Sequence, residues 1–184
     1  MAQIKVGSGL TKPKAIHVYK NGAWQKKKVG HVFKNGVWIP FIKYELWLYQ
    51  LGKEYVEFEY TGNNAQLIKR TDQMNLSTNM GPNNTGGNAY LKTKNRITLT
   101  EYSKLYFDVK PHFVTSDRDT GSVGVHSASG FKEPTEAKRS FGVNNVRSVV
   151  EVDVSSLAGD YFVSMYLETK YGTPYVEIYN IWLE

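Results

Sequence analysis

The sequence lacks cysteine: none of its 184 residues is one. This absence excludes disulfide bridges, thiolate metal ligands and a cysteine nucleophile, so the fold depends on burial and hydrogen bonding. No apolar run approaches the ~20 residues that a membrane-spanning helix needs. The first ten residues are too polar for a secretory signal. We therefore expect synthesis in a cytoplasm, no export by the usual route and no membrane partner.

Acidic residues are absent from the first 44 positions, which contain nine lysines and no arginine. The chain carries a formal net charge of +6, which leaves −3 on residues 45–184. A basic segment on a mildly acidic body favours an acidic partner: another protein, nucleic acid or an anionic cell-wall polymer. The alternative is that lysines only protect the edges of small strands from pairing. The lysines assigned to attachment are Lys20, Lys26, Lys27, Lys28 and Lys34.

A short sequence occurs twice in this basic segment, at 17–24 and at 31–38. Internal repeats indicate repeated structural units. Each copy places Asn-Gly between strand-forming residues, and both residue types tolerate the positive φ that a two-residue type I′ turn requires. Each copy therefore predicts a β-hairpin with one aromatic residue before the turn and a tryptophan after it. These aromatic residues are Tyr19 and Trp24 in the first copy, and Phe33 and Trp38 in the second.

We divide the chain at Pro40 into a basic N-terminal arm with two hairpin repeats, residues 1–40, and a body, residues 41–184. Aromatic residues make up 14% of the chain, which favours strands. Short alternating segments separated by turn residues predict an all-β, jelly-roll-like β-sandwich. The predicted body strands are 42–49, 55–60, 66–70, 89–92, 96–99, 104–110, 123–125, 147–154, 161–168 and 176–183. Residues 133–140 favour one short helix.

Catalytic motifs are missing from the sequence. None of the patterns H-E-x-x-H, G-x-S-x-G or the phosphate-binding G-x-x-x-x-G-K-[ST] occurs. His17 and His31 occupy equivalent repeat positions, which explains them better than catalysis does. Asp117 and Asp119 could contribute oxygens to a calcium site, but two acids around an arginine are more typical of a solvated turn. We expect a non-enzymatic protein with no cofactor and no metal.

Exposed aromatic rings point to a binding function, because sugars stack their C–H faces on such rings. Tyr171 and Tyr175 flank a loop rich in turn residues and are candidate glycan-binding residues. Trp24 and Trp38 are further candidates, with packing between the hairpins as the alternative. Basic hairpins with aromatic residues also suit single-stranded nucleic acid. Arginine usually serves phosphate and base contacts, however, and the first arginine is Arg70, which argues against nucleic acid.

Two parts of the sequence resemble known families. Residues 153–163, followed by a strand at 175–183, resemble the penultimate region and last strand of carbohydrate-binding-module-like jelly rolls. Residues 97–109 are similar to an earlier strand pair of such domains. The repeated Tyr-Lys-Asn-Gly-Ala-Trp and Phe-Lys-Asn-Gly-Val-Trp segments resemble those of tail proteins from phages that infect Gram-positive bacteria. Together they resemble a tail-tip or baseplate accessory protein of a long-tailed phage.

This resemblance implies a structural protein of the virion, made in the host cytoplasm, with a role in adhesion to the host surface. It implies other tail or baseplate proteins as partners, with host cell-wall polysaccharide as a second partner and a homo-oligomer as an open alternative. A glycan- or cell-wall-binding module that is not built into the virion is the first alternative function. A protein that binds single-stranded nucleic acid is the second.

Overall fold

The structure is a computed structural model. It describes residues 4–5, 16–20, 23–27, 31–34, 37–40, 45–79, 86–113, 119–142, 145–170 and 172–184, with the strand backbone alone before residue 45. None of these residues is helical. Accordingly, the described part of the chain holds no helix with the length and apolarity to cross a membrane. The chain divides into two compact units, Met1–Glu45 and Leu46–Glu184.

The first unit contains a three-stranded and a two-stranded antiparallel sheet. Its register reproduces the sequence repeat: Tyr19 lies opposite Trp24, and Phe33 lies opposite Trp38. The Asn-Gly positions themselves lie outside the described residues. The strand β1, which pairs with β2, was not predicted, because the residues that follow it include glycines and a proline. The strands are β1 (Ile4–Lys5), β2 (Ile16–Lys20), β3 (Ala23–Lys27), β4 (His31–Lys34) and β5 (Val37–Pro40).

A seven-stranded antiparallel sheet forms one layer of the second unit. The C-terminal strand β18 is its centre: β13 pairs along one side, while β10 and β6 share the other. The edges are β16, β9 and the short β7. The strands are β6 (Leu46–Gln50), β7 (Lys53–Glu54), β9 (Gln66–Lys69), β10 (Met74–Ser77), β13 (Lys104–His112), β16 (Ser148–Asp153) and β18 (Tyr175–Leu183).

A six-stranded antiparallel sheet forms the other layer, in the order β15-β14-β17-β11-β8, with β12 also paired to β17. The strands are β8 (Phe58–Thr61), β11 (Gly87–Thr93), β12 (Ile97–Thr98), β14 (Asp119–His126), β15 (Ala137–Phe141) and β17 (Asp160–Thr169). The two sheets enclose one apolar core, because alternate residues of each strand point inward. Leu105, Phe107 and Val109 from one sheet and Met165 and Leu167 from the other are fully buried in it.

The predicted fold class, an all-β jelly-roll-like sandwich, is confirmed. The helix predicted at 133–140 is wrong: β15 occupies 137–141 and pairs with β14. Its residues Ala, Lys and Arg are good helix formers, but the open edge of β14 and the burial of Phe141 in the core override that propensity. The strand β10 was also missed, because Asn and Ser interrupt its apolar residues Met74 and Leu76.

Candidate functional site

Two parallel rows of side chains cross the outer face of the seven-stranded sheet. Gln66, Ser77, Tyr175 and His112 lie directly opposite one another on β9, β10, β18 and β13. The neighbouring row consists of Ile68, Asn75, Glu177 and Lys110. The residues between these rows, such as Leu76 and Val176, point inward and are buried. The pleat of the sheet therefore presents a largely polar surface at this position.

A groove of about 450 Å³ lies on these rows. This volume falls within the roughly 300–1,000 Å³ that is typical of small-molecule sites. The strands β9 and β10 supply one side of the groove, while β18 and the residues before it supply the other. Its lining residues are Ile68, Arg70, Gln73, Asn75, Ser77, Thr173, Tyr175 and Glu177.

The Tyr175 ring forms an aromatic wall of the groove. Its ring stacks on the imidazole of His112, with centroids 4.2 Å apart and planes 9° from parallel. Since neighbouring strands are ~4.8 Å apart, the two rings stand side by side on the sheet. The residue opposite Tyr175 on its other side is Ser77, whose small side chain leaves that ring face uncovered. A sugar ring could therefore stack its polarised C–H groups on the electron-rich face.

Hydrogen-bonding groups lie beside this ring, and several are held in place. The Gln73 side chain donates from Nε2 to Asn75 Oδ1 over 3.0 Å, and both residues are at least nine-tenths buried. Glu177 accepts a hydrogen bond from the Tyr179 hydroxyl at 2.8 Å and lies 3.3 Å from His112 Nε2. Burial raises the pKa of Glu177, but bonds from Tyr179, His112 and Gln73 outweigh it and the pKa is lowered. The carboxylate is thus a charged acceptor.

Beyond the groove, an ion pair between the buried Asp108 and the exposed Arg147 continues the face along β18. Asp108 accepts two hydrogen bonds from Arg147, at 2.9 and 2.7 Å, and one from Asn180 at 2.7 Å. Burial raises the pKa of Asp108, but the bonds from Arg147 and Asn180 outweigh burial and the pKa is lowered. The Arg147 guanidinium also lies 3.8 Å from the centre of the Tyr179 ring. These contacts fix the position of Tyr179, the residue that bonds Glu177.

A row of three aromatic rings lies at the far end of β18. Trp182 stacks on Tyr106 at 4.8 Å and on Trp47 at 5.3 Å, with planes 14° and 29° from parallel. Trp182 is the central ring of the row, so its neighbours cover both of its faces.

The structure places the residues predicted from sequence in different surroundings. Tyr175 lines the groove, whereas Tyr171 lies outside the described residues. Trp24 and Trp38 lie on β3 and β5, opposite the aromatic residue of their own repeat. Their binding roles remain predictions, as do those of the lysines. Lys20, Lys26, Lys27 and Lys34 lie on strands of the first unit, and Lys28 lies outside the described residues.

Sequence reasoning missed the polar half of the groove. Gln73 and Asn75 are ordinary polar residues before and within a strand that was not predicted, and Arg70 precedes it. The apolar residues Met74 and Leu76 alternate with Asn75 and Ser77, and this alternation was the signal that could have located β10.

The expected solvated turn at Asp117 and Asp119 is wrong for the second residue. Asp119 begins β14, is 2% exposed and accepts a hydrogen bond from Thr169 Oγ1 at 2.6 Å. Asp117 lies outside the described residues. Within the described ranges, no three His, Asp or Glu side chains come together as a metal site would require.

Comparison with known proteins shows which solved structures this fold resembles. No protein-family model matches the sequence, and no curated protein matches it. Among solved structures, a carbohydrate binding module of family 29 aligns with a TM-score of 0.51 and 12% identity, over 76% of this chain and 87% of its own. The chain shares the fold of these modules.

Two further structures of family 29 modules give the same result. A point mutant complexed with cellulohexaose aligns with a TM-score of 0.51 and 13% identity, over 76% of this chain and 89% of its own. A mutant made to probe ligand recognition aligns with a TM-score of 0.53 and 13% identity, over 77% of this chain and 91% of its own. Likeness at this identity concerns the fold, and the function of this chain has to be argued from its own residues.

Proposed function

We propose that the body of this protein is a non-catalytic glycan-binding module whose ligand occupies the groove beside Tyr175. The observation that carries the proposal is the free face of the Tyr175 ring in a groove lined by polar side chains. A stacking surface with convergent hydrogen-bonding groups is what a sugar requires, since it has an apolar face and a hydroxyl rim. The fold shared with family 29 carbohydrate binding modules supports the proposal.

The lining residues determine which hydrogen-bonding groups the ligand must carry. Glu177 accepts hydrogen bonds and is negatively charged, while Arg70 and the amide of Asn75 donate them. Hydroxyl groups both donate and accept, and they match this mixed set. A carboxylate on the sugar would meet Glu177 unfavourably. The groove therefore suits a neutral sugar.

A binding experiment tests this proposal. The full-length protein is screened on neutral oligosaccharides that include cellulohexaose and purified polysaccharide from Gram-positive cell walls, and hits are measured by calorimetry. Replacing Tyr175→Ala should weaken binding at least tenfold, which corresponds to ~1.4 kcal/mol. Tyr55→Ala is the matched control, because Tyr55 is 47% exposed and is not among the groove residues. Equal affinity together with equal stoichiometry of the Tyr175→Ala variant and the parent would show that the ligand does not use this groove.

We also propose the setting of this activity: the distal tail of a phage of Gram-positive bacteria, where the protein contributes to host adhesion. The support is the repeated basic hairpin and its resemblance to tail proteins. The two copies form strand pairs with equivalent registers, as an attachment element with two like parts would. Immunogold electron microscopy of virions, with an antibody against the body, should label the tail tip. Unlabelled tails together with glycan binding by the free protein would favour a module that is not built into the virion.

The basic arm is the attachment element in this proposal. Replacing Lys26, Lys27 and Lys28 by Gln should weaken co-sedimentation with tails, and the difference should shrink as salt rises, since exposed charges are screened over ~8 Å at physiological salt. Tyr175→Ala is the matched control, because it should bind tails like the parent. Tail binding of the lysine variant that equals the parent at every salt concentration would reduce the lysines to protection of strand edges.

A further inference from the structure

The six-stranded sheet carries an aromatic row of its own on its outer face. Five residues, one on each of five strands, lie directly opposite one another. Two of them are tyrosines on neighbouring strands, and the other three are serine or threonine. In order from β8 to β15 they are Thr61, Tyr90, Tyr166, Ser122 and Ser140. Their neighbours along the strands, such as Leu91 and Met165, point into the core. The row therefore faces away from the core, on the opposite side of the molecule from the groove.

The pair of tyrosine rings is open on the side of Tyr90, where the neighbouring Thr61 is exposed. Tyr90 and Tyr166 pack against each other with centroids 4.8 Å apart and planes inclined by 36°. Thr61 lies beyond Tyr90 and Ser122 lies beyond Tyr166. Thr61 thus adjoins Tyr90 as Ser77 adjoins Tyr175 in the groove, whereas Ser122 is 3% exposed and bonds Glu133. Burial raises the pKa of Tyr166, and so do the nearby charge of Glu168 and the hydrogen bond that the Tyr166 hydroxyl donates to Glu168.

Polar residues flank this pair on both sides. One neighbouring row consists of Asn88, Glu168 and Thr120. On the other side, Glu133 accepts a hydrogen bond from Ser122 Oγ at 3.3 Å and from Lys138 Nζ at 2.7 Å. The segment that carries Glu133 lies over the sheet, because the centre of the Phe131 ring is 5.1 Å from Lys92 Nζ and Lys92 is almost fully buried. This segment therefore forms a wall next to the aromatic pair.

We propose that Tyr90 and Tyr166 form a second saccharide site, so that one molecule binds two glycan chains and bridges them. The inference rests on the proposed function, since it assigns the same class of ligand to the second face. Both sites combine an uncovered tyrosine face with a row of amide, carboxylate and hydroxyl groups. They lie on the outer faces of the two sheets, which point in opposite directions. A single glycan chain therefore does not fill both.

Stoichiometry and bridging test the proposal. Calorimetry uses the neutral oligosaccharide selected in the screen, with cellulohexaose as the first probe, and the parent should bind two molecules per chain. Tyr166→Ala and Tyr175→Ala should each bind one. Thr61→Arg covers Tyr90 from an exposed edge position without opening the core, so it should also bind one and unfold like the parent. The parent should cross-link a soluble polysaccharide into a turbid network, and each single-site variant should not.

The outcomes separate this inference from the proposed function. Complete loss of binding in Tyr175→Ala, with parent affinity and a stoichiometry of one in Thr61→Arg, would overturn the second site and leave the groove intact. Complete loss in Thr61→Arg with no change in Tyr175→Ala would place the only site on the six-stranded sheet, which overturns both the groove and the bridging. A parent that binds no glycan in the screen would overturn both proposals.

Discussion

The stability of the body should depend on pH through one buried histidine, His126 on β14. Its side chain is 0% exposed, and it packs on the ring of Phe162 with centroids 5.5 Å apart. The same ring already has two cations near it: Lys92 Nζ at 4.2 Å and the guanidinium of Arg96 at 5.3 Å. A proton on His126 would add a third positive charge at a buried position.

The direction of the pKa shift follows from these neighbours. Burial lowers the pKa of His126 from its ordinary 6.5, and Lys92 and Lys132 lower it further, while the Ala128 backbone and Glu136 act in the opposite direction. Because the folded pKa is the lower one, the unfolded chain takes up the proton first as the pH falls. The contribution of neutral His126 to stability is therefore complete above pH 6.5 and is lost below it.

The size of the loss follows from linkage. Between pH 6.5 and the folded pKa, one proton difference lowers the free energy of unfolding by ~1.4 kcal/mol per pH unit. The change from pH 7.5 to pH 5.5 should therefore reach about 1.4 kcal/mol at most. Depressed carboxyl groups do not interfere, because Glu136 and Asp108 start from ordinary values of 4.5 and 3.8 and their contribution is lost only at lower pH.

Urea unfolding of the full chain, followed by tryptophan fluorescence at the two pH values, measures this difference. His126→Phe keeps an aromatic ring and removes the titrating group, so it should show almost no difference between pH 7.5 and 5.5. The double variant His17→Gln and His31→Gln should keep the difference of the parent. A parent whose stability is equal at both pH values, or a His126→Phe variant with the full difference, would refute the reasoning.

Three other perturbations follow from the described contacts. Asp108→Ala removes a buried acceptor of three hydrogen bonds and should lower stability by about 2 kcal/mol in urea unfolding; a loss below ~0.5 kcal/mol would show that solvent replaces Asp108 for Arg147 and Asn180. Gly124→Ala should lower the thermal midpoint, because Gly124 has φ +154° and the added Cβ would meet the Ala137 carbonyl oxygen at 1.9 Å; an unchanged midpoint would mean that the edge strand β15 moves away at no cost. Ser77→Phe should cover the face of Tyr175 next to it and lower the calorimetric stoichiometry from two to one with unchanged unfolding, whereas the stoichiometry of the parent would place the ligand elsewhere.

Local patterns predicted the fold class, because the alternation of apolar and polar residues within a strand shows which of its faces is buried. In β16, Val150 and Val152 alternate with acidic residues, and the structure buries these two valines against the core. Such alternation is visible within a few residues and needs no knowledge of the partner strand. The strands β10 and β15 were not predicted, for the opposite reason. Their assignment depends on the strands that they pair with, and pairing with β14 outweighs the helix propensity of β15.

The candidate site could be predicted only in part for a similar reason. Tyr175 was recognised because tyrosines beside a turn are often exposed. The groove around it needs β10 and β9 to lie against β18, and Asn75 is about a hundred residues from its partner Glu177. Nothing in the local sequence fixes a register over that distance, and a shift by one residue would turn Asn75 into the core.

The decisive feature of an aromatic row is the size of the residue next to it. Trp47, Trp182 and Tyr106 contain more aromatic surface than any other row on the seven-stranded sheet in the described ranges, yet stacking covers both faces of the central ring, Trp182. Tyr175 has only one aromatic neighbour, and Ser77 on its other side leaves a ring face free. Rings on adjacent strands stack on each other, because the distance between strands matches the distance at which rings stack. A tyrosine beside a small polar residue therefore indicates a binding surface more specifically than a count of tyrosines and tryptophans does, and that combination occurs on both sheets of this body.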